Sequence, residues 1–229
     1  MIWTATHEGG NLNEWTEDAR GGSYPEPAVA GTDGTAEISG DFARSGALSL
    51  KLTRPAVGTE TGPGAYRDLR GRNRAHYASW FLVPEQQRPA SRWTIMKFRL
   101  RDPSSADPPA EGLDLDLRSL PGGGYVLSVF DHDSSYLQEP IAVPPPVVEV
   151  GRWFHVEVLY RSAGSAGAVA VWLDGRKVYD LMPHPTTADG AYFTPCNIGL
   201  DLGPSPVSVY VDDASISLTR VTPSGLLRR

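Results

Sequence analysis

The sequence predicts one all-β domain, a sandwich of two antiparallel β-sheets. Glycine and proline interrupt the chain often, with 24 Gly and 20 Pro among 229 residues, or about a fifth of the chain against a usual share of about 12%. Long helices need stretches without such breakers, so a coiled coil, a helical bundle and a helical solenoid are excluded. Hydrophobic residues make up 40% of the chain, which argues against disorder. Apolar and polar residues alternate with a period of two, which is the pattern of half-buried strands.

The first half of the chain contains the strands with the strictest alternation. Leucine occupies every second position within residues 47–52. A strand over residues 76–83 ends at Pro84, which cannot donate to a sheet ladder. Residues 93–100 and 113–118 also alternate, and each strand collects a set of side chains on one face: Trp93, Lys97 and Arg99 on the first, and Asp114, Asp116 and Arg118 on the second.

The second half supplies the clearest hairpin. Asp174-Gly175 offers the positive φ angles of a tight turn between strands at 168–173 and 177–181. Before it, residues 153–161 set His155 and Glu157 against an apolar face. Strands at 197–202 and 208–218 close the chain. No stretch is long enough for a linker, so the sequence predicts a single domain over residues 1–229.

Charge and cysteine content exclude several classes of function. The chain carries 21 basic and 27 acidic residues, with a net charge of −6. Proteins that bind nucleic acid usually present a basic stripe, so we expect no nucleic acid partner. The single cysteine, Cys196, excludes an internal disulfide and a multi-cysteine zinc site. No apolar run is long enough for a membrane helix, so we expect no membrane partner. We also expect a monomer. The first residues are unlike a signal peptide, which leaves the compartment open.

Four segments resemble the concanavalin A-like jelly rolls: 153–158, 171–176, 198–200 and 209–213. Together with motifs nearer the N-terminus they cover nearly the whole chain in order. Within that class, the sequence is similar to a group of polysaccharide lyases with heparin-lyase-like, glucuronan-lyase-like and fungal cellulose-induced-protein-like members. The resemblance implies a concave sheet that binds a polysaccharide, and it favours secretion. It leaves the sugar open.

The expected groove combines charged and aromatic side chains. If the strands that carry them are neighbours, cations, carboxylates and an imidazole converge on one sheet face, and aromatic rings form platforms for sugars. Asp201 stands where related sequences often carry an aromatic residue, and Lys97 where they often carry Gln. The predicted substrate contacts are His76, Trp80, Trp93, Asp114, Asp116, Glu157, Trp172 and Asp201.

The resemblance implies β-elimination from an acidic, uronate-containing polysaccharide. A cation must neutralise the sugar carboxylate, a base must remove the proton next to it, and an acid must protonate the leaving oxygen. Lys97, Arg99 and Arg118 suit the first task. His155 or Tyr77 suits the proton transfers, and the alternation leaves open whether His76 or Tyr77 faces the groove.

Other interpretations stay open. The polar stripe could be a solvated face of cross-strand ion pairs, each contributing about 0.2 to 1 kcal/mol. The groove could bind carbohydrate without cleaving it, or the protein could have a structural role. A retaining hydrolase is disfavoured, because hydrolases of the same fold class carry their acids at positions i and i+4 of one strand. Here position i+4 from Asp114 is Arg118, and residues 113–118 contain no Glu.

The resemblance also implies a structural calcium ion that joins the two ends of the chain. The corresponding ligands are Glu8, Ser45, the carbonyl of Leu48, and Asp212. Calcium prefers such oxygen ligands. The other acid-histidine sequence, at residues 131–133, has the composition of an ordinary turn.

Overall fold

The computed structural model confirms the predicted β-sandwich. It describes residues 1–15, 34–54, 64–67, 73–85, 92–101, 110–132, 136–138, 140–141, 143–186, 192–201 and 206–224, without the side chains at 66, 99–101, 110–111, 136–137 and 192–201. The strands are β1 (Trp3–Ala5), β2 (Thr35–Ser39), β3 (Ser49–Arg54), β4 (Gly64–Tyr66), β5 (Arg74–Leu82), β6 (Trp93–Arg101), β7 (Ala110–Ser119), β8 (Tyr125–Asp131), β9 (Tyr136–Gln138), β10 (Val147–Val148), β11 (Phe154–Arg161), β12 (Ala168–Leu173), β13 (Arg176–Leu181), β14 (Tyr192–Asp201) and β15 (Val207–Ser217).

These strands form two antiparallel sheets. The back sheet has the order β13-β12-β11-β5-β15-β3-β2, and β1 also pairs with β15. The front sheet has the order β10-β8-β7-β6-β14-β4, and β9 also pairs with β8. Within the ranges given above, no helix is long and apolar enough to cross a membrane.

The predicted Asp174-Gly175 hairpin is confirmed. Asp174 has φ 49° and Gly175 has φ 81°, the left-handed backbone that this kind of turn requires. The Asp174 side chain also accepts a hydrogen bond from the main-chain N–H of His155 at 2.8 Å. The turn is thereby fixed to the neighbouring strand β11.

The core lies between the two sheets and is built from the apolar face of each. Tyr77 of the back sheet meets Phe98 of the front sheet edge to face, with ring centroids 5.2 Å apart. Tyr160 stacks on the same Phe98 at 5.3 Å. Leu113, Leu115 and Leu117 face the same core from β7. Their polar neighbours on the strand therefore point out of the sandwich.

Candidate functional site

The predicted site residues divide between the two sheets. Lys97, Asp114, Asp116 and Arg118 lie on β6 and β7 of the front sheet, which pair with each other. A second group lies on β5, β11 and β12 of the back sheet: His76, Trp80, His155, Glu157 and Trp172. Both groups point away from the core, so they occupy opposite surfaces of the sandwich. The expectation that they converge on one face is wrong, because alternation indicates which side of a strand is polar but not which sheet the strand joins.

Two further predicted residues belong to the core. Tyr77 packs against Phe98 and is 3% exposed. Trp93 meets Tyr125 edge to face at 5.2 Å, in the same core. Since Tyr77 faces inward, its neighbour His76 faces outward. The roles predicted for Tyr77 in proton transfer and for Trp93 as a sugar platform are therefore wrong.

On the back sheet, Glu157 is the centre of a buried network. Its carboxylate accepts hydrogen bonds from the His76 ring at 2.8 Å, from the Arg220 guanidinium at 3.1 Å and 3.2 Å, and from the main-chain N–H of Val221 at 3.0 Å. The Arg220 guanidinium also lies over the Trp172 ring at 4.3 Å. Burial raises the pKa of Glu157, but these hydrogen bonds outweigh burial and leave it lowered. The network attaches the segment after β15 to this face and covers Glu157.

His155 lies on the same covered face. The side chain is fully buried, and its ring meets the edge of Trp80 at 5.2 Å. The guanidinium of Arg44 covers the other side of Trp80 at 4.3 Å. Burial lowers the pKa of His155 to about 4, so the imidazole is neutral at neutral pH. The predicted partnership of His155 with Lys97 is wrong, because the sandwich separates them.

On the front sheet, three neighbouring strands form one polar surface, here called the front face. In register, Lys97 lies opposite Asp114, and Thr94 lies opposite Asp116. Asp116 in turn lies opposite Ser128 on β8. A bulge between Thr94 and Met96 changes the alternation of β6, which turns Thr94 outward and sends Trp93 into the core. The front face consists of Thr94, Lys97, Asp114, Asp116, Ser128 and Phe130.

Asp116 is a buried acid of the front face with a raised pKa. Thr94 donates a hydrogen bond to Oδ1 of Asp116 at 2.8 Å. In the described part of the chain, Oδ2 of Asp116 and Oγ of Ser128 are buried and lack a hydrogen-bond partner, although Arg92 Nε lies 3.6 Å from that Oδ2. Burial, and then the charge of Asp114, raise the pKa of Asp116 to about 6. Buried polar atoms are normally satisfied, so these two atoms leave hydrogen-bonding capacity on the front face.

Two residues that the sequence analysis did not select border the front face. His132, expected in a turn, places Nε2 2.9 Å from Oδ2 of Asp114. Its ring meets the edge of Phe130 at 4.9 Å, and the guanidinium of Arg92 covers Phe130 at 4.0 Å. Neither residue belongs to the alternation of a strand, because Arg92 precedes β6 and His132 follows β8. The only feature of the sequence that could have pointed to Arg92 and His132 is their position next to the ends of β6 and β8.

The remaining residues predicted for the groove add no side-chain hydrogen bond or ion pair to the front face in the described part of the structure. Arg118 is exposed near the end of β7, opposite Val126. The main chain of Arg99 lies on β6, and that of Asp201 lies on β14 opposite Thr94. The side chains of Arg99 and Asp201 lie outside the described part of the structure.

The four predicted calcium ligands lie around one turn. Glu8 accepts hydrogen bonds from the main-chain N–H groups of Ala47 at 3.0 Å and Leu48 at 2.9 Å. Asp212 accepts from the main-chain N–H of Ser45 at 3.1 Å. Any side chain at Gly46 would collide with the Glu8 carboxylate. Among the residues whose placement is given, no three His, Cys, Asp or Glu side chains form a metal-binding group, so a cation here would depend on main-chain and hydroxyl oxygens as well.

Solved structures with the same architecture were found, whereas no protein-family model and no curated protein sequence matches the chain. An endo-β-1,4-glucuronan lyase from the fungus Trichoderma reesei is 17% identical with a TM-score of 0.67, and the match covers 95% of each chain. A variant of the alginate lyase Aly36B in complex with alginate trisaccharide is 15% identical with a TM-score of 0.64, covering 95% of this chain and 98% of that one.

A third match is one domain of a larger enzyme. Domain 4 of AbnA, an extracellular arabinanase from Geobacillus stearothermophilus, was solved in complex with arabinotriose. It is 18% identical with a TM-score of 0.58, and the match covers 98% of this chain and 95% of that domain. At such identities the similarity defines the fold alone. The chain therefore has the concanavalin A-like jelly-roll fold of these polysaccharide lyases, as the resemblance in its sequence predicted.

Proposed function

We propose that the protein is a polysaccharide lyase that cleaves an acidic, uronate-containing polysaccharide on the front face. The observation that carries this proposal is Asp116, a buried carboxyl with a pKa of about 6 that has Arg92 close by and Lys97 on the neighbouring strand. Perturbed acids beside cations are typical of catalytic sites. The glucuronan lyase and the alginate lyase that share the fold support an acidic substrate.

The residues of the front face suit the steps of β-elimination. Lys97 and Arg92 would neutralise the sugar carboxylate and stabilise the negative charge that develops in the transition state. Asp116 would remove the proton from the carbon next to that carboxylate. A general base works best with a pKa near the working pH, and an ordinary aspartate lies well below it. Burial of Asp116 therefore supplies a stronger base than an exposed carboxylate would be.

The test of this function is the ultraviolet absorbance of the double bond that elimination creates. The protein is mixed with glucuronan, alginate, pectate, heparin and heparan sulfate in turn. We expect absorbance to rise with one of them, and Lys97→Ala to lower kcat/KM by about 10²-fold or more, because the loss of one charge-stabilising donor typically costs that much. Lys177→Ala is the matched control, since that lysine pairs with Asp180 on the back sheet. An unchanged rate in Lys97→Ala would contradict the role of Lys97.

A carbohydrate-binding protein without catalysis is the second candidate. The arabinotriose complex of a domain with the same fold favours it, and carboxylates such as Asp114 accept hydrogen bonds from neutral sugars as well. A flat absorbance trace on every polymer, with retardation in a polysaccharide gel, would favour this function over the lyase.

We also propose that Glu8, Ser45, Leu48 and Asp212 hold a structural calcium ion. Two carboxylates, a hydroxyl and a carbonyl are the oxygen donors that calcium prefers. Each carboxylate oxygen has more than one lone pair. An oxygen that accepts a hydrogen bond from a main-chain N–H can therefore also bind a cation. Asp213 follows Asp212 directly, and after burial the charge of Asp212 is the second cause that raises the pKa of Asp213. The two carboxyl groups therefore repel each other, and a cation bound at this turn would relieve that repulsion.

Calcium should therefore raise the melting temperature. At a concentration about 100 times its Kd, a ligand of the folded state stabilises it by about 2.7 kcal/mol, or about 5–10 °C for a chain of this size. The measurement compares Tm in calcium and in chelator. Asp212→Asn should lose the difference and Asp180→Asn should keep it. The same Tm in calcium and in chelator for the unmodified protein would contradict the site.

A further inference from the structure

We propose that His132, held by Asp114, is the general acid of the front face and delivers a proton to the leaving oxygen. This inference rests on the proposed lyase function and assigns its second proton transfer. From the sequence, His132 was expected only in a turn. The structure brings it to the front face by way of its contact with Asp114.

Two contacts of the ring and one main-chain hydrogen bond define the position of His132. Its Nε2 lies 2.9 Å from Oδ2 of Asp114, and the ring meets Phe130 edge to face at 4.9 Å. The main-chain N–H of His132 donates to the carbonyl of Gly112 at 3.0 Å, which fixes the backbone beside β7. A carboxylate that holds one nitrogen of an imidazole orients the ring for a proton transfer at the other nitrogen.

The exposure of the two partners gives each a separate task. The Asp114 side chain is 4% exposed, whereas that of His132 is 21% exposed. Asp114 acts as a positioning residue, because its Oδ2 is already engaged by the His132 ring. The His132 ring lies at the surface, where a polysaccharide can reach it.

Two carboxyl groups on the neighbouring strand lie near His132. Asp114 and Asp116 both lie on β7, and the positive charge of His132 contributes to lowering the pKa of Asp116 against the effect of burial. The Asp114 carboxylate lies 2.9 Å from Nε2 of His132, where it accepts a hydrogen bond from a proton on that nitrogen.

Asp116 and His132 together account for both proton transfers of the elimination. Asp116 takes the proton from the carbon next to the sugar carboxylate. The electron pair of that C–H bond forms the new C=C bond, and the C–O bond to the leaving sugar breaks with its pair on oxygen. His132 gives the Nδ1 proton to that oxygen and becomes neutral, while Nε2 keeps its proton toward Asp114. Solvent then removes the proton from Asp116 and returns one to His132.

The experiment compares His132→Ala and His132→Gln with the unmodified protein on the polymer that the absorbance assay selects. We expect kcat to fall by about 10²- to 10⁴-fold, the usual contribution of a general acid, with KM within a few fold. Added imidazole should restore part of the rate of His132→Ala, which a structural role would not allow. His184→Gln is the matched control, because His184 also pairs with an aspartate, Asp131, at 3.3 Å but lies outside the front face.

Each outcome decides one proposal. If the unmodified protein cleaves no polymer, the lyase function fails and this inference fails with it. If it cleaves one and His132→Gln keeps the full kcat, only the role of His132 is overturned. A loss in His132→Ala that imidazole does not restore, with an equal loss in His184→Gln, would also overturn it, because it would show a general effect on the fold.

Discussion

Asp116→Asn should remove elimination almost completely without destabilising the protein. Asparagine cannot accept a proton from the substrate, so kcat should fall by about 10²- to 10⁴-fold. The rate of the unmodified enzyme should decline as the pH falls below about 6, because burial raises the pKa of Asp116 to about that value and protonation removes the base. The measurement is kcat against pH by ultraviolet absorbance, for both proteins.

The same substitution has an expected effect on stability with a defined sign. The pKa of Asp116 rises from 3.8 to about 6 on folding, so between these values the folded state keeps a proton that the unfolded state releases. Stability contributed by this group therefore falls as the pH rises through that window. Asp116→Asn should melt at or above the temperature of the unmodified protein at pH 7, with a gain of up to about 3 kcal/mol, and should lose this advantage at pH 4.

Two results would contradict the assignment of Asp116 as a base. The first is an unchanged kcat in Asp116→Asn, and the second is a higher KM with the same kcat, which would indicate binding alone. Asp180→Asn is the matched control, because Asp180 forms an exposed pair with Lys177 on the back sheet. It should change neither the rate nor its dependence on pH.

Alternation in the sequence was sufficient to predict the fold and the outward side of most strands. On β7 the leucines face the core, and Asp114 and Asp116 face outward, as the period of two requires. The pattern failed on β6, because the bulge between Thr94 and Met96 shifts the alternation by one residue. A bulge has no fixed sequence signal, so Thr94 was missed and Trp93 was placed on the wrong side.

The assembly of the site depends on contacts between distant parts of the chain, which alternation does not encode. His155 and Lys97 both face away from the core, yet β11 pairs with β5 and β6 pairs with β7, which puts them on opposite sheets. Arg220 reaches Glu157 from the segment after β15. Such pairings are set by the topology of the sandwich. A strand face that is polar in the sequence can therefore be covered by another segment instead of lining a groove.

Glu157→Ala should be among the most destabilising single changes in the chain and should leave the front face intact. The carboxylate is fully buried, and its removal leaves His76 and Arg220 without the acceptor that they share. Breaking a buried ion pair by removing one partner costs about 3–5 kcal/mol, which is about 6–20 °C in Tm for a chain of this size. The measurement is thermal unfolding at pH 7.

Two companion variants separate the charge from the packing. Arg220→Ala should cost less than Glu157→Ala, because Glu157 keeps its bonds to His76 and Val221. The double variant should cost less than the sum of the two, since the partners are in contact. The hydrogen bonds lower the pKa of Glu157, so its contribution is present at neutral pH and lost as the pH falls below the ordinary value of 4.5.

Activity distinguishes this network from the front face. Because Glu157 lies on the opposite sheet from Asp116, Glu157→Ala should keep its kcat at temperatures well below its melting point, whereas Asp116→Asn should lose kcat at every temperature. A Glu157→Ala protein that melts like the unmodified one would contradict the structural role. One that stays folded and is inactive would place the reaction on the back sheet and overturn the proposal for the front face.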